Sequence, residues 1–468
     1  MAFNSIFFFL TFLSFLGVYL ALKSRWPVAA RSLTLLYSYF FYGMWNPAFL
    51  LLIGASTLID YSAGLGMSRY PLHKLALLRL SLFTNLGLLG VFKYFNFFAS
   101  SAAWLVELTG FPVTPPALTV LLPVGISFYT FQTLSYTIDV YRGDLEPRRS
   151  LLDFAFYVAY FPQLVAGPIV RARDFLVQVE ANPFPSAAKF AHGWTLVVLG
   201  LFMKTVIADN AAPRVDHLFS TWQQNSALEN WAASMLFGVQ IHGDFSGYSL
   251  VAIGIALIMG YDIPRNFNSP YGALGFSDFW RRWHISLSTW LRDYLYISLG
   301  GNRRGMRSTY INLMITMLLG GLWHGASFMF IVWGGIHGVY LCVERALRDF
   351  VQKRPIPARY AALLYPIGIV LTYLTVSITW IPFRAESTDQ CIGMLKGLAF
   401  APFVRYDNMV FDFGFAGAVF MGHTIWRNRS FADQLERSGA LRYFVLTIML
   451  LSLWFLAGER SEFIYFQF

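Results

Sequence analysis

Residues 308 to 343 contain no Lys, Arg, Asp or Glu, yet they include a histidine, His324, within Gly321-Leu-Trp-His-Gly325. A stretch of this length and composition is long enough to form two helices that cross a hydrocarbon layer of ~30 Å. An ionisable side chain inside a membrane is costly to keep there, so it is a functional hypothesis by default. The pattern therefore predicts spanning helices around the titratable imidazole of His324.

The composition extends this prediction to the whole chain. Of its 468 residues, 56% are hydrophobic and only 13% are charged, which is typical of a membrane protein and not of a soluble one. The formal net charge of +10 comes from short Lys and Arg clusters between apolar runs, which indicates topology signals and not nucleic-acid binding. We predict a single membrane domain covering residues 1–468.

The distribution of basic residues predicts the topology, because Lys and Arg concentrate on the cytoplasmic side. Counting apolar runs between basic clusters gives roughly 11–12 transmembrane helices in an all-α polytopic protein. The first run, about Phe3 to Leu22, lacks the positive start of a signal peptide and is expected to be a retained span. Both termini are expected outside the cytoplasm.

One apolar segment, 151–170, has basic residues at both ends, Arg149 and Arg171. Both ends are therefore expected on the cytoplasmic side, which predicts a re-entrant segment broken at Pro162 or at Gly167-Pro168. Irregular backbone at membrane depth is tolerated only where protein or a water-filled cavity surrounds it. This indicates a cavity on the cytoplasmic side, with Gln163 as a candidate lining residue.

The region 278–300 is predicted to be a helix lying at the membrane interface. Its apolar residues recur at helical spacing, while His284, Ser288 and Arg292 form a polar stripe four residues apart. The apolar positions are Trp283, Leu287, Trp290, Leu291 and Tyr294. Gly300 and the cluster Arg303, Arg304 and Arg307 are expected to end this helix on the cytoplasmic side.

Three histidines are candidates for chemistry, with different alternatives. His324 in a sealed apolar pocket beside Trp323 would be neutral and able to act as a base, and the alternative is a histidine hydrogen-bonded between helices. His284 is either functional or simply faces lipid headgroups. For His337, packing is the better explanation.

The polar cluster His242-Gly-Asp-Phe-Ser-Gly-Tyr248 interrupts another apolar run. Asp244 and Tyr248 could line a cavity, or Asp244 could hold two helices together by hydrogen bonds. Asp293 could line the same passage, or it could be half of a surface ion pair with Arg292, which would be worth little.

The sequence lacks the motifs of several common catalytic and metal-binding sites. Zinc sites use ligands at short spacing, and the chain has neither His-x-x-x-His nor Cys-x-x-Cys. No phosphate-binding loop indicates an ATP-driven pump, and no Gly-x-Ser-x-Gly elbow indicates a serine hydrolase. Cys342 and Cys391 are too few for a disulfide framework.

Six segments together resemble the membrane-bound O-acyltransferase family, and most closely its bacterial alginate O-acetyltransferase branch. In this chain they read Pro123-Val-Gly-Ile-Ser-Phe-Tyr-Thr-Phe-Gln132, Phe161-Pro-Gln-Leu-Val-Ala-Gly-Pro-Ile169, Asp244-Phe-Ser-Gly-Tyr248, Phe279-Trp-Arg-Arg-Trp-His-Ile-Ser-Leu-Ser-Thr-Trp-Leu-Arg-Asp-Tyr294, Gly321-Leu-Trp-His-Gly325 and Phe463-Ile-Tyr-Phe-Gln-Phe468. The resemblance covers nearly the whole chain in order. It departs from many relatives at Leu250, where an acidic residue is common, and at His242, where an aromatic is common.

The resemblance implies a multi-pass enzyme of the bacterial inner membrane, with a tunnel or funnel leading to His324 and with His284 as the second catalytic histidine. It implies no permanently bound cofactor, acetyl-CoA as the cytoplasmic acyl donor, a periplasmic acetyltransferase as partner protein, and a polysaccharide as acceptor. The basic residues Arg281, Arg282, Arg303 and Arg304 could attract the donor's phosphates or could only enforce topology.

Two alternatives to this function stay open. One is O-acylation of another envelope acceptor, such as peptidoglycan or teichoic acid. The other, from a different class, is a proton-coupled transporter built around the re-entrant segment and the buried histidine.

Overall fold

The computed structural model describes residues 3–118, 122–165, 167–353 and 357–464, and within these ranges the chain forms helices and no strands. The first nine helices are α1 (Ile6–Arg25), α2 (Pro27–Gly43), α3 (Phe49–Arg69), α4 (Lys74–Leu89), α5 (Phe95–Glu107), α6 (Ile126–Arg142), α7 (Leu151–Ala159), α8 (Phe161–Leu164) and α9 (Ala172–Ala181). The remaining helices are α10 (Ala187–Phe202), α11 (Asp209–Ser220), α12 (Ala227–Met259), α13 (Phe276–Arg282), α14 (Ile285–Trp290), α15 (Gly305–His324), α16 (Phe328–Lys353), α17 (Ala358–Arg384), α18 (Thr388–Phe400), α19 (Met409–Ile425), α20 (Phe431–Arg437) and α21 (Ala440–Phe455). Short π-helical turns occupy Gly90–Tyr94, Met203–Ala208 and Leu291–Tyr296, and 3₁₀ turns occupy Pro71–His73 and Pro270–Gly272.

The prediction of an all-α polytopic membrane protein is confirmed. Seven helical segments in the described part of the chain are long and apolar enough to cross a membrane, and α19 and α21 are shorter apolar helices. Helices α2 and α6 have 17 residues each, just under the ~20 residues that a span requires. The expected number of 11–12 crossings therefore stays a prediction, as does the position of the termini.

Several helices begin where a serine side chain accepts a hydrogen bond from the first helical turn, which satisfies a backbone N–H that has no intrahelical partner. Ser5 accepts from the N–H of Phe8 at the start of α1, and Ser150 accepts from the N–H of Asp153 at the start of α7. Ser387 does the same for α18. These caps explain why the helices start at those residues and not within the neighbouring apolar sequence.

The described residues group into two compact units. The first comprises Met1–Val197 and Val251–Pro264, and the second comprises Val198–Leu250 and Arg265–Phe468. Helices α10 and α12 each contribute residues to both units.

In the first unit, the predicted interruption of segment 151–170 is confirmed, at Tyr160 and again after Leu164, with Pro162 in the first turn of α8. The re-entrant course and the cytoplasmic cavity stay predictions. Helix α7 ends at Ala159, Tyr160 is non-helical, and α8 ends at Leu164. Side chains of neighbouring segments satisfy the interrupted backbone, since the N–H of Phe161 donates to Ser38 Oγ over 3.2 Å. Aromatic rings surround Phe161 itself, with Tyr37 at 5.0 Å and Phe41 at 5.8 Å between ring centroids. Protein thus encloses the break, as irregular backbone in a membrane requires.

In the second unit, the prediction of one continuous interfacial helix over residues 278–300 is wrong. Helix α13 ends at Arg282, His284 adopts a left-handed conformation with φ of 43°, and α14 begins at Ile285. Backbone hydrogen bonds from another segment cause the break, because the N–H of Asn268 donates to Arg282 O and the N–H of Ile285 donates to Asn266 O, both over 2.9 Å. His284 is fully buried and does not face headgroups.

The charge-free stretch forms the hairpin of α15 and α16, and the predicted bend near Gly320 to Ser327 is confirmed. Glycines allow the two backbones to meet. A Cβ on Gly321 would lie 2.2 Å from Phe330 O, and a Cβ on Gly334 would lie 2.3 Å from Met317 O. Cys342 on α16 and Cys391 on α18 are free thiols.

We predict that Gly334→Ala lowers the thermal stability of the detergent-purified protein, because the added methyl group meets backbone that cannot move aside. Overpacking of this kind costs about 1–3 kcal/mol. Gly335→Ala is the matched control, since its Cβ would meet only Leu318 Cδ2 at an ordinary 3.4 Å. Equal melting temperatures for the two variants would contradict the close helix contact.

Candidate active site

His324 is the last residue of α15, directly before the turn into α16. Its side chain is buried, and three aromatic rings surround it. The ring centroids of Trp323 and Trp333 lie 5.1 Å from that of His324, and the centroid of Phe383 lies at 5.4 Å. The predicted apolar surroundings of this imidazole are therefore present, and Trp323 contributes to them.

Gly325 is required at the next position by packing. Its backbone is extended, with φ of −162°, so a side chain would cause no strain in the backbone itself. A Cβ at Gly325 would, however, lie 2.1 Å from Cε2 of Phe330. Only a glycine lets the Phe330 ring close against the residue that follows His324.

His284 lies close to His324. The ring centroids of the two histidines are 6.4 Å apart, although 39 intervening residues separate them in sequence. Trp323 is 5.8 Å and Phe245 is 4.7 Å from the His284 ring. A non-glycine residue in the left-handed region carries strain of roughly 1–3 kcal/mol and such residues concentrate at functional sites. The helix break at His284 thus brings the two predicted catalytic histidines into one aromatic cluster.

Asn266 holds the His284 ring. The Oδ1 atom of Asn266 lies 3.0 Å from Nδ1 of His284, while its Nδ2 donates to Ser249 Oγ over 3.1 Å. Because Oδ1 can only accept, the hydrogen is on Nδ1 of His284 and the lone pair is on Nε2. Burial lowers the pKa of His284 to about 3, so the imidazole is neutral at physiological pH.

His337 has a structural role, which confirms the packing explanation. Its Nε2 lies 3.0 Å from Thr379 Oγ1, and that hydroxyl donates to Val376 O over 2.6 Å. The threonine oxygen must then accept, so His337 donates. The ring also packs against Trp333 and Trp280.

Asp244 belongs to a buried ion-pair network. Its Oδ1 is 2.7 Å from Lys204 Nζ, which also lies 2.7 Å from Asp209, and its Oδ2 accepts the N–H of Ile464 over 2.6 Å. Of the two sequence-based alternatives, this geometry matches hydrogen bonding between segments. Tyr248 packs on Phe463, with ring centroids 4.4 Å apart. A lining role for either residue stays a prediction.

The other two predicted lining residues, Asp293 and Gln163, each have a hydrogen-bonding partner of their own. Asp293 pairs with Arg292, its Oδ1 lying 2.6 Å from Nε. Gln163 belongs to the first unit, where it is buried and its Nε2 donates to Tyr157 O. In the described part of the chain, no three or more His, Cys, Asp or Glu residues are grouped to hold a metal ion. The last four residues of the motif that ends at Phe468 lie outside the described residues.

The predicted donor-binding arginines divide into two kinds. Arg282 is partly buried, pairs with Asp278 over 2.9 Å and donates to Arg427 O over 2.6 Å. Burial alone would raise the pKa of Asp278, but hydrogen bonds from the Leu274 N–H, Arg427 and Arg282 outweigh it and hold that pKa below its usual value. Arg282 therefore has a structural role here. Arg281, Arg303 and Arg304 are exposed.

Sequence reasoning missed Asn266, Trp333, Phe383 and the Lys204 network. Lys204 carried a usable signal, because it is a charged residue inside the apolar run 190–207 and Asp209 follows five residues later. Asn266, in contrast, lies in an irregular loop. Nothing in its local sequence indicates that it contacts His284.

Comparison with known proteins identifies the family of this chain. The family model described as MBOAT, membrane-bound O-acyltransferase family, matches residues 36–379. The chain belongs to the membrane-bound O-acyltransferase family. The match includes both histidines of the cluster, and the protein is therefore an O-acyltransferase.

Three relatives illustrate the range of similarity within the family. The protein named "Probable alginate O-acetylase AlgI" of Pseudomonas aeruginosa is 45% identical over 84% of this chain and 74% of its own length. The peptidoglycan O-acetyltransferase of Helicobacter pylori is 36% identical over 85% of this chain and 79% of its own. The teichoic acid D-alanyltransferase of Bacillus subtilis is 29% identical over 53% of this chain and 65% of its own length.

We predict that Asn266→Ala lowers acyl transfer, because His284 loses the acceptor that orients its ring. Hydrogen-bond partners that orient a functional imidazole typically contribute about 10- to 100-fold. Ser249→Ala is the control, because it removes only the group on the far side of the Asn266 amide. Initial rates of the purified variants measure the effect, and similar rates for both variants would show that the hydrogen bond does not position His284.

Proposed function

We propose that this O-acyltransferase takes an acetyl group from cytoplasmic acetyl-CoA and passes it across the membrane for O-acetylation of an extracytoplasmic polysaccharide. The observation that carries the proposal is the pair of buried imidazoles, 6.4 Å apart, inside a cluster of aromatic rings. Such surroundings exclude water, which would otherwise compete with a hydroxyl for the thioester.

In this proposal His324 is the general base. Its ring nitrogen accepts the proton of the attacking hydroxyl while the oxygen bonds to the thioester carbonyl carbon. The carbon–sulfur bond then breaks, the departing sulfur takes up the proton, and an ester and free CoA result. His284 donates through Nδ1 to Asn266, which leaves the Nε2 lone pair as the acceptor it can offer to a hydroxyl.

Three exposed arginines supply a place for the donor. Arg281, Arg303 and Arg304 fall on the side that the basic-residue pattern predicts to be cytoplasmic, and guanidinium groups bind phosphates with paired hydrogen bonds. Acetyl-CoA carries several phosphates. We therefore assign these three side chains, without Arg282, to donor attraction.

The relatives support the choice of acceptor. The most similar of the three described above is named for alginate, and a peptidoglycan O-acetyltransferase is 36% identical over most of the chain. Peptidoglycan is therefore kept as the second candidate acceptor. In both cases we propose that a periplasmic acetyltransferase partner completes the transfer. Family membership disfavours the proton-coupled transporter.

The test supplies acetyl-CoA, radiolabelled in the acetyl group, to the purified protein and measures label released or transferred. We predict turnover by the wild type and a loss of at least about 100-fold in His324→Ala, the scale expected for removal of a general base. His337→Gln is the control, because glutamine can still donate to Thr379 and should leave turnover unchanged.

Absence of label turnover by the wild type would contradict acetyl-CoA as donor. Equal losses in His324→Ala and His337→Gln would contradict a special role for His324 and would indicate a general packing defect instead.

A further inference from the structure

Asp60 lies at the middle of α3 and is fully buried in the first unit. Helices α4 and α6 pack on α3 around it and contribute Ser81, Asn85, Thr133 and Thr137, whose polar side chains are also buried. Ionisable groups at membrane depth are expensive and are by default functional hypotheses. Asp60 takes no part in the histidine cluster, so its presence calls for another explanation.

Asn85 binds both oxygens of the Asp60 carboxyl group. Its Nδ2 lies 3.0 Å from Oδ1 and 2.9 Å from Oδ2, and it also donates to Ser81 O over 3.0 Å. Three acceptors around Nδ2 fix the orientation of the amide. Hydrogen bonds donated to both oxygens favour the ionised form of the carboxyl group.

Hydrogen bonds connect this carboxyl group to the neutral oxygen atoms of neighbouring serine, threonine and asparagine side chains. Ser81 Oγ lies 2.6 Å from Oδ1 of Asp60 and 3.0 Å from Thr137 Oγ1. On the other side, Asn85 Oδ1 lies 2.8 Å from Ser56 Oγ and 3.4 Å from Thr133 Oγ1. Serine and threonine hydroxyls can rotate their hydrogens away and present lone pairs instead. One carboxylate and up to five neutral oxygens are therefore available within a small volume.

The Asp60 carboxyl group has no cationic side chain at ion-pair distance among the described residues. Within the described residues, no Lys, Arg or His nitrogen lies within 4.0 Å of its carboxylate. The basic side chains Arg69, Lys74 and Arg142 stand at the ends of the three helices, and Arg79 is exposed.

Several other buried carboxylates differ from Asp60 because a cationic side chain contacts them. Asp153 pairs with Arg31 and Arg148, Asp412 pairs with Arg214, and Asp244 pairs with Lys204. An ionised carboxylate away from water needs a positive partner to offset its desolvation. Hydrogen bonding between helices explains the hydroxyls around Asp60, but it leaves the charge unbalanced.

We propose that Asp60, Ser81 and the neighbouring oxygens of Asn85, Thr133 and Thr137 bind a monovalent cation, Na⁺. Oxygen-only ligands exclude the metals that prefer nitrogen or sulfur, and a single carboxylate suits a single positive charge better than Ca²⁺ or Mg²⁺. The close spacing of the oxygens favours the smaller Na⁺ over K⁺. The bound ion would join α3, α4 and α6 at their centres.

A ligand that binds only the folded state stabilises it by mass action. The full chain, purified in detergent, should therefore melt at a higher temperature in NaCl than in KCl or choline chloride at equal ionic strength, and the rise should saturate. Asp60→Asn should abolish this difference. Ser81→Ala and Thr133→Val keep the charge and should raise the half-saturating Na⁺ concentration several-fold.

Asp412→Asn is the matched control, since it removes a buried carboxylate that already has a guanidinium partner. Its melting temperature should still depend on Na⁺. If Asp60→Asn does not fold, the shifted half-saturation in Ser81→Ala and Thr133→Val still tests the site.

Three results would overturn the proposal. The first is equal wild-type melting temperatures in the three salts, and the second is an unchanged Na⁺ response in all the Asp60, Ser81 and Thr133 variants. The third is stabilisation by low pH that is the same in every salt and is lost in Asp60→Asn, which would mean that a proton neutralises the carboxylate. Because none of these measurements uses acetyl-CoA, their outcome is independent of the proposed function.

Discussion

The cost of leaving backbone N–H and C=O groups without hydrogen bonds in hydrocarbon is the constraint on which this structure depends. It makes unbroken helices the default, and it permits a break only where other protein groups satisfy the backbone. In the second unit such a break occurs at Trp283 and His284, where the backbone of residues 266–268 supplies the missing partners. The break turns His284 inwards, towards the end of α15 where His324 lies.

In this arrangement the two histidines share a mainly aromatic environment. Aromatic rings enclose both of them, and Asn266 sets which nitrogen of His284 carries the hydrogen. Nearby, Lys204 is shared by the buried carboxylates of Asp244 and Asp209, and Asp244 also accepts the N–H of Ile464, which holds the chain there. The proposed chemistry thus lies in the two imidazoles, while the charged groups of this network have structural partners.

The sequence predicted those features that depend on local composition. The α15–α16 hairpin followed from the charge-free run and its glycines, and the break near Pro162 followed from a proline between two basic flanks. His324 was singled out because an imidazole in an apolar run is conspicuous. The membrane class needed no more than composition.

Features that depend on distant contacts could not be predicted in this way. The spacing of Trp283, Leu287, Trp290 and Tyr294 fits one amphipathic helix, and only the bonds from Asn266 and Asn268 show why the helix is broken instead. The proximity of His284 to Trp323 and the support from Asn266 likewise depend on tertiary structure. Nor does the local sequence around Asp60 indicate that Asn85 and Ser81, on another helix, form hydrogen bonds with its carboxyl group.

The central claim is that His284 and His324 act on the same reacting atoms. A double-mutant cycle of acyl transfer with His284→Ala, His324→Ala and the double variant tests it most directly, because residues that act as a unit give non-additive losses. We predict that the double variant is about as slow as the slower single variant. If the two losses multiply, the histidines act independently, which would contradict the account of one shared site.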